Sequence, residues 1–332
     1  MEVKKRWDRI NFDSVNKALI ELKGEPFKKY RDRWMAFECV EKSKLYDYIP
    51  GFPIHIDFEV VFGCNLRCAM CWLQNFPDYI KNPAYMEFEL YKKIINEGMG
   101  RGLNAISLHN NGEPLIRSDI FDFLKYGNDA GLLDIFLSTN GTLLNEEASE
   151  KLIDYGLTRL NVSLDAFTEE TYKKMRNNNQ FNKVKENIEK FLEIRKKKNS
   201  KTPFLRVSFC KTIINEKETD DFINYWSSKA DNIGIQRYQN VREDINLEPK
   251  EKIEIDCYQP FRRVVVLPDG RVQGCCVEYG YDDVVIGNAY ESSIHDIWHG
   301  EKIKFMRHAI VNNTFYKVKS CVKCLGLLWD TS

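Results

Sequence analysis

Ile54-His-Ile-Asp-Phe-Glu-Val-Val61 runs without a break into Phe62-Gly-Cys64-Asn-Leu-Arg-Cys68-Ala-Met-Cys71-Trp72. The first stretch alternates in part and is rich in β-branched and aromatic residues, which predicts a strand. The second places three thiols in a CxxxCxxC pattern in the loop that follows. Thiolates at this spacing can wrap one face of an iron–sulfur cluster and leave one iron without a protein ligand, open to chemistry. The same spacing also permits a zinc site or an inert electron-transfer cluster.

Five further strands are predicted at Asn104 to Leu108, Leu133 to Ser138, Arg159 to Leu164, Phe204 to Cys210 and Ile233 to Arg237. Helical patterns lie between them, near Glu87 to Glu97, Ile120 to Asn128, Glu146 to Tyr155, Phe181 to Lys197 and Glu218 to Lys229. Repeated strand–helix units predict a mostly parallel α/β sheet with helices outside, either a partial barrel or an open sheet. The unusual residues follow the strands: the cysteines, then Asn110-Asn111-Gly112-Glu113-Pro114, then Thr139-Asn140-Gly141. In such folds the C-terminal strand ends face the active site, so these loops should converge.

Residues 1–53 mix charge with Trp7, Tyr30 and Trp34 and predict a mostly helical extension. After about residue 240 the texture changes. Val264 to Leu267, Pro268-Asp-Gly270 and Arg271 to Cys276 predict a hairpin with a tight Asp-Gly turn. Cys257 precedes it, Cys275 and Cys276 lie on its return strand, and a helix near Ser293 to Ile310 leads to Cys321-Val-Lys-Cys324.

Ten cysteines gathered in ligand-like groups argue for metal ligation in a reducing cytoplasm rather than a disulfide scaffold. The 49 basic and 49 acidic residues cancel, so the global positive field that drives nucleic-acid binding is missing. No apolar run approaches a membrane span and the charged N-terminus does not read as a signal peptide.

CxxxCxxC followed by Trp72, Gly112-Glu113-Pro114 after the second strand and Ser163-Leu-Asp165 ending the fourth together resemble the radical S-adenosylmethionine superfamily over roughly residues 54–240. Where that family usually has two glycines before the glutamate, Asn111 replaces the first. The tail resembles a shortened SPASM, or twitch, auxiliary-cluster region: a cysteine before a hairpin, then Gly270 followed by four residues and Cys275.

The resemblance implies a partial (β/α)6 TIM-like barrel at 54–240, with an N-terminal extension at 1–53 and a small auxiliary Fe–S cluster domain at 241–332. It implies S-adenosylmethionine and two 4Fe–4S clusters, the first held by Cys64, Cys68 and Cys71. Cys257, Cys275, Cys321 and Cys324 would hold the second, with zinc on the same four thiols as the alternative. An external one-electron reductant such as flavodoxin or ferredoxin is implied as a partner. Gly112 and Glu113 should approach the methionine amino group, Ser163 the ribose or carboxylate, and Arg206 the carboxylate. Asn140 is a further ribose candidate, Asp165 belongs to the matching Ser-Leu-Asp run, and Trp72 can cover the cluster and touch adenine. Ordinary ion-pair, turn and packing roles stand beside Arg206, Asn140 and Trp72 in turn.

The implied reaction is hydrogen-atom abstraction by a 5′-deoxyadenosyl radical, with oxidation of a small sugar-like or natural-product substrate to a carbonyl. His109, before the glutamate loop, is a candidate base, and a satisfied structural histidine otherwise. Cys276 should point away from Cys275, because side chains alternate along a strand. It is either a hydrogen-atom donor or a small buried hydrophobe. Cys39 and Cys210 read as packing residues. A peptide maturase, performing epimerisation or crosslinking, is the enzymatic alternative. A noncatalytic Fe–S electron-transfer or structural protein is the alternative of another class.

Overall fold

A computed structural model describes residues 7–238, 257–276 and 282–329. Ten strands form one sheet: β1 (Trp7–Ile10), β2 (His55–Phe58), β3 (Ala105–Ser107), β4 (Asp134–Thr139), β5 (Arg159–Ser163), β6 (Phe204–Lys211), β7 (Asn232–Arg237), β8 (Arg263–Val266), β9 (Arg271–Gln273) and β10 (Val285–Asn288). Their order is β1-β7-β6-β5-β4-β3-β2-β8-β9-β10, and β2 to β7 are parallel in sequence order. That run is the expected six-stranded α/β unit.

Along β2 to β6 the core-facing positions are apolar and the alternating ones largely polar, so the alternation sets what points where. Ile56, Phe58, Ile106, Ile135, Leu137, Leu160, Val162, Leu205, Val207 and Phe209 are buried in the main core. They lie with residues of the helices α3 (Phe88–Met99), α4 (Ile120–Asp129), α5 (Glu146–Asp154), α7 (Phe181–Lys197) and α8 (Thr219–Trp226). Each large apolar side chain buried this way contributes about 1.5–3 kcal/mol. The alternating positions, His55, Asp57, Ser107, Ser138, Asn161, Ser163, Arg206 and Ser208, take the opposite, inward face.

The N-terminal extension is helical as expected in α1 (Phe12–Lys23) and α2 (Glu25–Cys39), but its first described segment is β1, antiparallel on the edge of β7. The charged run Trp-Asp-Arg-Ile carries no strand signal of its own and is recruited by that open edge. Val15, Leu19, Phe27 and Tyr30 pack against Ala105, and Lys23 donates to the Leu133 carbonyl at 2.7 Å. Arg159 reaches both Asp134, at 3.0 Å, and Asn16, at 2.9 Å. The helix pair thus covers the N-terminal strand ends and leaves the loop-bearing ends for ligands.

The predicted hairpin is present, but its return strand stops at Gln273 instead of reaching Cys276. The register to β10 shifts between Val272 and Gln273, and beyond it Gly274 N still donates to Val284 O at 3.0 Å. Strand β8 pairs in parallel with β2, Arg263 facing His55 and Val265 facing Asp57. The C-terminal segment therefore prolongs the barrel sheet. The helix expected from Ser293 to Ile310 is two, Ile294–Trp298 and α9 (Glu301–Val311), interrupted at His299 and Gly300. Cys321 and Cys324 sit on α10 (Lys319–Trp329), and the expected boundary at residues 240 and 241 lies outside the described residues. A helix not foreseen, α6 (Glu169–Arg176), starts at Thr168, whose hydroxyl accepts from Thr171 N, and ends at left-handed Asn177. No helix of the described residues is long and apolar enough to cross a membrane.

Candidate active site

The three loops expected to converge are tied together by hydrogen bonds. Asn140 donates from Nδ2 to Asn65 Oδ1 at 2.8 Å and to Cys64 Sγ at 3.7 Å. Its backbone N–H donates to Glu113 Oε2 at 2.6 Å. Glu113 Oε1 accepts from Thr139 Oγ1 at 2.7 Å and from Leu115 N at 3.1 Å, while Glu113 N donates to Gly63 O at 2.9 Å. Glu113 is thus a buried knot between the loops. Burial pushes its carboxyl up, and the donors from Asn140, Thr139 and Leu115 oppose that rise. Gly112 lies so close to the strand before the cysteines that a Cβ would meet Val61 O at 2.1 Å and Gly63 O at 2.8 Å. Glu59, which the sequence reading passed over, accepts from Asn111 N at 2.8 Å.

Cys64, Cys68 and Cys71 lie in one short loop within electrostatic reach of one another. Cys64 Sγ accepts from Leu66 N at 3.4 Å, and Arg176 Nη1 donates to Cys68 Sγ at 3.5 Å. Donors aimed at sulfur suit thiolates. Burial first, then Glu113 and the neighbouring thiols, push Cys64 up to about 12, so a cationic group must lie between them before all three ionise. A cluster fits that requirement. Beside it, the side-chain N–H groups of Asn110 and Asn111 are buried with no hydrogen-bond partner among the described residues, which suits a ligand rich in acceptor oxygens. Among the described residues no group of three His, Cys, Asp or Glu side chains is already drawn tightly enough to hold a single metal ion.

Asp165, just past the C-terminal end of β5, is held in a clamp beside the cluster loop. Its Oδ1 accepts from Cys210 N and its Oδ2 pairs with Arg176 Nη2, both at 2.7 Å. Arg176 also donates to the Ser163 carbonyl. One buried guanidinium therefore joins Ser163, Asp165 and Cys68, a role hidden at the end of α6, where a basic residue reads as an ordinary solvated helix end. Trp72 follows Cys71 in a short turn and meets Phe76 edge-on at 5.3 Å.

The inward face continues as a polar chain. Arg206 Nε donates to Asn161 Oδ1 at 2.8 Å, and Asn161 Nδ2 donates to Ser138 Oγ at 2.8 Å and Ser163 Oγ at 3.2 Å. His55 Nε2 contacts Ser107 Oγ at 2.9 Å and Asp57 Oδ1 at 3.0 Å, and Asp57 Oδ2 pairs with Arg263 Nη1 at 3.0 Å. His109 Nδ1 accepts from Ser138 N at 3.1 Å. Burial, then Arg206 and His55, hold its pKa down to about 4 against the pull of Asp57. A neutral ring with Nδ1 occupied carries its hydrogen on Nε2. The neutral ring accepts from Ser138 N at Nδ1, as a satisfied structural histidine does, and leaves Nε2–H as a hydrogen-bond donor.

Cys276 lies beside the second thiol set, against Cys275. Cys275 is hydrogen-bonded to Cys276, and that bond, with burial and with Cys276, Cys257 and Cys324 nearby, holds it well above the usual thiol range. Burial, with Cys257 and Cys324 nearby, pushes Cys321 up as well. The expectation that Cys276 faces away fails because residues 274–276 form a bend, not strand. Such mutually disfavoured thiolates again suit a shared cationic group. Cys210 is half-buried on β6, but Cys39 is exposed rather than packed.

Residues 58–207 match the model of the Radical SAM superfamily, and residues 257–325 match SPASM, an iron-sulfur cluster-binding domain. The chain is 32% identical over 193 residues to a probable GTP 3′,8-cyclase of Methanocaldococcus jannaschii, covering 57% of this chain and 61% of that protein. It is 37% identical over 131 residues to a GTP 3′,8-cyclase of Clostridium perfringens, covering 39% and 40%. The chain thus spans less than two thirds of the length of these relatives. Among solved structures, BtrN in complex with AdoMet and 2-DOIA superposes with a TM-score of 0.52 at 20% identity, over 80% of this chain and 90% of that one. Streptococcus suis SuiB bound to precursor peptide SuiA gives 0.61 at 14% identity, over 80% and 69%. Likeness at such identities shows a shared fold.

Proposed function

This chain belongs to the radical S-adenosylmethionine superfamily and carries a SPASM-type region, and from that premise we propose that it abstracts a hydrogen atom from a small polar substrate held on the inward face of the barrel. Its cofactors are S-adenosylmethionine and iron–sulfur clusters. When bound, these supply the 5′-deoxyadenosyl radical, and the protein's share is to hold, orient and shield.

In this reading Cys64, Cys68 and Cys71 anchor the reactive cluster, with Arg176 and Asn140 donating to its sulfurs. Gly112 gives the backbone access to the methionine end of S-adenosylmethionine, and the unpaired amides of Asn110 and Asn111 meet its acceptors. Glu113 and Asp165 organise the loops more than they touch the ligand. Ser163 and Arg206 line the way in from β5 and β6. Cys257, Cys275, Cys321 and Cys324 hold one auxiliary cluster, with Cys276 against Cys275.

The observation that carries the substrate class is the inward polar chain Arg206–Asn161–Ser138, with His109 Nε2–H beside it. Paired donors and acceptors of this kind match hydroxyl or amino groups. Oxidation of such a substrate to a carbonyl would release one proton to solvent and send one electron to the cluster that the auxiliary thiols would hold. Arg263 supports this path because it pairs with Asp57 and also feels Cys257, Cys275 and Cys276. A nucleotide substrate is the second reading, favoured by the identity to proteins named GTP 3′,8-cyclase.

Anaerobic reconstitution should load about eight irons, and dithionite with S-adenosylmethionine should then release 5′-deoxyadenosine. Aminocyclitols and sugars should stimulate that release and be recovered as carbonyl compounds. Stimulation by GTP alone, with a cyclised purine product, would move the assignment to the second reading. No 5′-deoxyadenosine under any condition would end both.

A further inference from the structure

We propose that Asp165 and Arg176 form a charge pair that sets the reduction potential of the cluster held by Cys64, Cys68 and Cys71. The inference rests on the radical S-adenosylmethionine reading of those thiols and concerns two residues outside the ligand set. Arg176 ends α6, and its Nη1 donates to Cys68 Sγ at 3.5 Å. Its Nη2 pairs with Asp165 Oδ2 at 2.7 Å and donates to the Ser163 carbonyl. The two side chains are only 9% and 6% exposed, for Arg176 and Asp165 in turn, so their charges act on the sulfur through protein rather than water.

Three observations separate this role from packing. First, the mechanical tie is made elsewhere. Glu218 accepts from Phe167 N at 2.7 Å, from Thr168 Oγ1 at 2.6 Å and from Thr171 Oγ1 at 2.7 Å, which fastens the start of α6 to the loop between β6 and α8. Ala69 N donates to Met175 O at 3.1 Å, which fastens the end of α6 to the cysteine loop. A buried ion pair adds little stability beside such bonds. Second, the arrangement is costly. Asp165 holds a left-handed backbone, with φ 60°, and Arg176 Nε is buried with no hydrogen-bond partner among the described residues. Third, the carboxylate is held from behind. Cys210 N donates to Asp165 Oδ1 at 2.7 Å, and Asn215 Nδ2 donates to the Asp165 carbonyl at 2.9 Å. A cation beside a thiolate ligand favours the electron-rich state, and the neighbouring carboxylate opposes it. One electron from an external reductant adds one negative charge to the thiol-held group. No bond forms, and neither side chain gains or loses a proton.

The test is a redox titration of the reconstituted protein followed by electron paramagnetic resonance, the signal of this cluster being the one missing from C64A/C68A/C71A. R176Q should move the midpoint to more negative potential, lowering the ratio of reduced to oxidised cluster about tenfold, or about 59 mV for one electron. D165N should move it the opposite way, since asparagine accepts a left-handed backbone and keeps an oxygen for Cys210 N. R176K should stay near wild type, and the auxiliary cluster should move in none of the three. Damage to the loop alone would move R176Q and D165N in one direction. That result, or a midpoint unmoved in R176Q, overturns the proposal. Should R176Q fail to hold its cluster, R176K at the wild-type midpoint with D165N above it supports the same pair, and equal midpoints in those two overturn it. A wild type that loads no cluster on the three thiols would instead count against the underlying reading.

Discussion

Arg263, at the start of the C-terminal hairpin, holds Asp57 of the first barrel strand at 3.0 Å, one step diagonally across a parallel strand pair. Burial alone would raise the Asp57 carboxyl, yet Arg263 and then His55 hold it below the usual carboxylate range. The same guanidinium lies in the field of Cys257, Cys275 and Cys276. It is therefore the electrostatic joint between the barrel interior and the second thiol set.

Replacing Arg263 with Met should cost about 3 kcal/mol at pH 7, because it strands a buried carboxylate. A carboxyl depressed in the folded state stabilises above its unfolded pKa, and that stability is lost as pH falls below it. The gap between wild type and R263M in denaturant titrations should thus narrow as pH drops below about 4. The auxiliary cluster of R263M should also titrate at a more negative potential, since a nearby positive charge is gone. R263K should recover most of both effects. A potential unmoved in R263M would confine Arg263 to a structural role.

His109 predicts a second pH effect, of known sign. Its folded pKa of about 4 lies below the unfolded value, so its contribution is present above about 6.5 and lost as pH falls toward 4. H109N, whose side-chain oxygen can still accept from Ser138 N, should flatten the fall in stability across that window by about 3 kcal/mol at most. Activity should show no inflection near 6.5 from this group. An inflection there that vanishes in H109N would restore a base role.

Gly112→Ala forces a Cβ against two backbone carbonyls, which cannot swing aside as a side-chain tip can. Separating the loop from the strand should cost about 2 kcal/mol. S-adenosylmethionine binding, followed by calorimetry, should fall more steeply than iron loading. Iron loss with unchanged ligand affinity per loaded site would place Gly112 with the cluster loop alone.

Cys276→Ala separates a ligand-sphere thiol from a hydrogen-atom donor. Given the Cys275–Cys276 hydrogen bond, the variant should alter the electron paramagnetic resonance of the auxiliary cluster while 5′-deoxyadenosine release continues. Solvent deuterium incorporation into substrate should stay as in wild type. Its disappearance, with an unaltered spectrum, would make Cys276 the donor of an epimerase.

What the sequence made legible was local. CxxxCxxC, Gly112-Glu113-Pro114 and Cys321-Val-Lys-Cys324 carry their meaning within a few residues, and strands β2 to β7 announce themselves by apolar alternation. The relationships that were missed join distant positions. Nothing near Asp57 names Arg263 as its partner, and nothing in the amphipathic pattern of α6 says that Arg176 turns inward to Cys68. Cys276 was misplaced for a different reason. Alternation assumes a strand that continues, and β9 ends at Gln273 and gives way to a bend before the thiols. His109 needed a tautomer, and only the Ser138 N–H supplies one.

The parallel pairing of β8 with β2 also sets an order of events during synthesis. His55 leaves the ribosome about two hundred residues before Arg263, the residue it faces. Until then β2 has a neighbour on one side only, and its other edge, with the Asp57 charge on it, stands open. An aspartate on a waiting edge discourages pairing with another nascent chain, and the arginine that later neutralises it arrives with the covering strand. The ion pair that joins the barrel interior to the second thiol set in the finished molecule thus begins as a guard on an unfinished one.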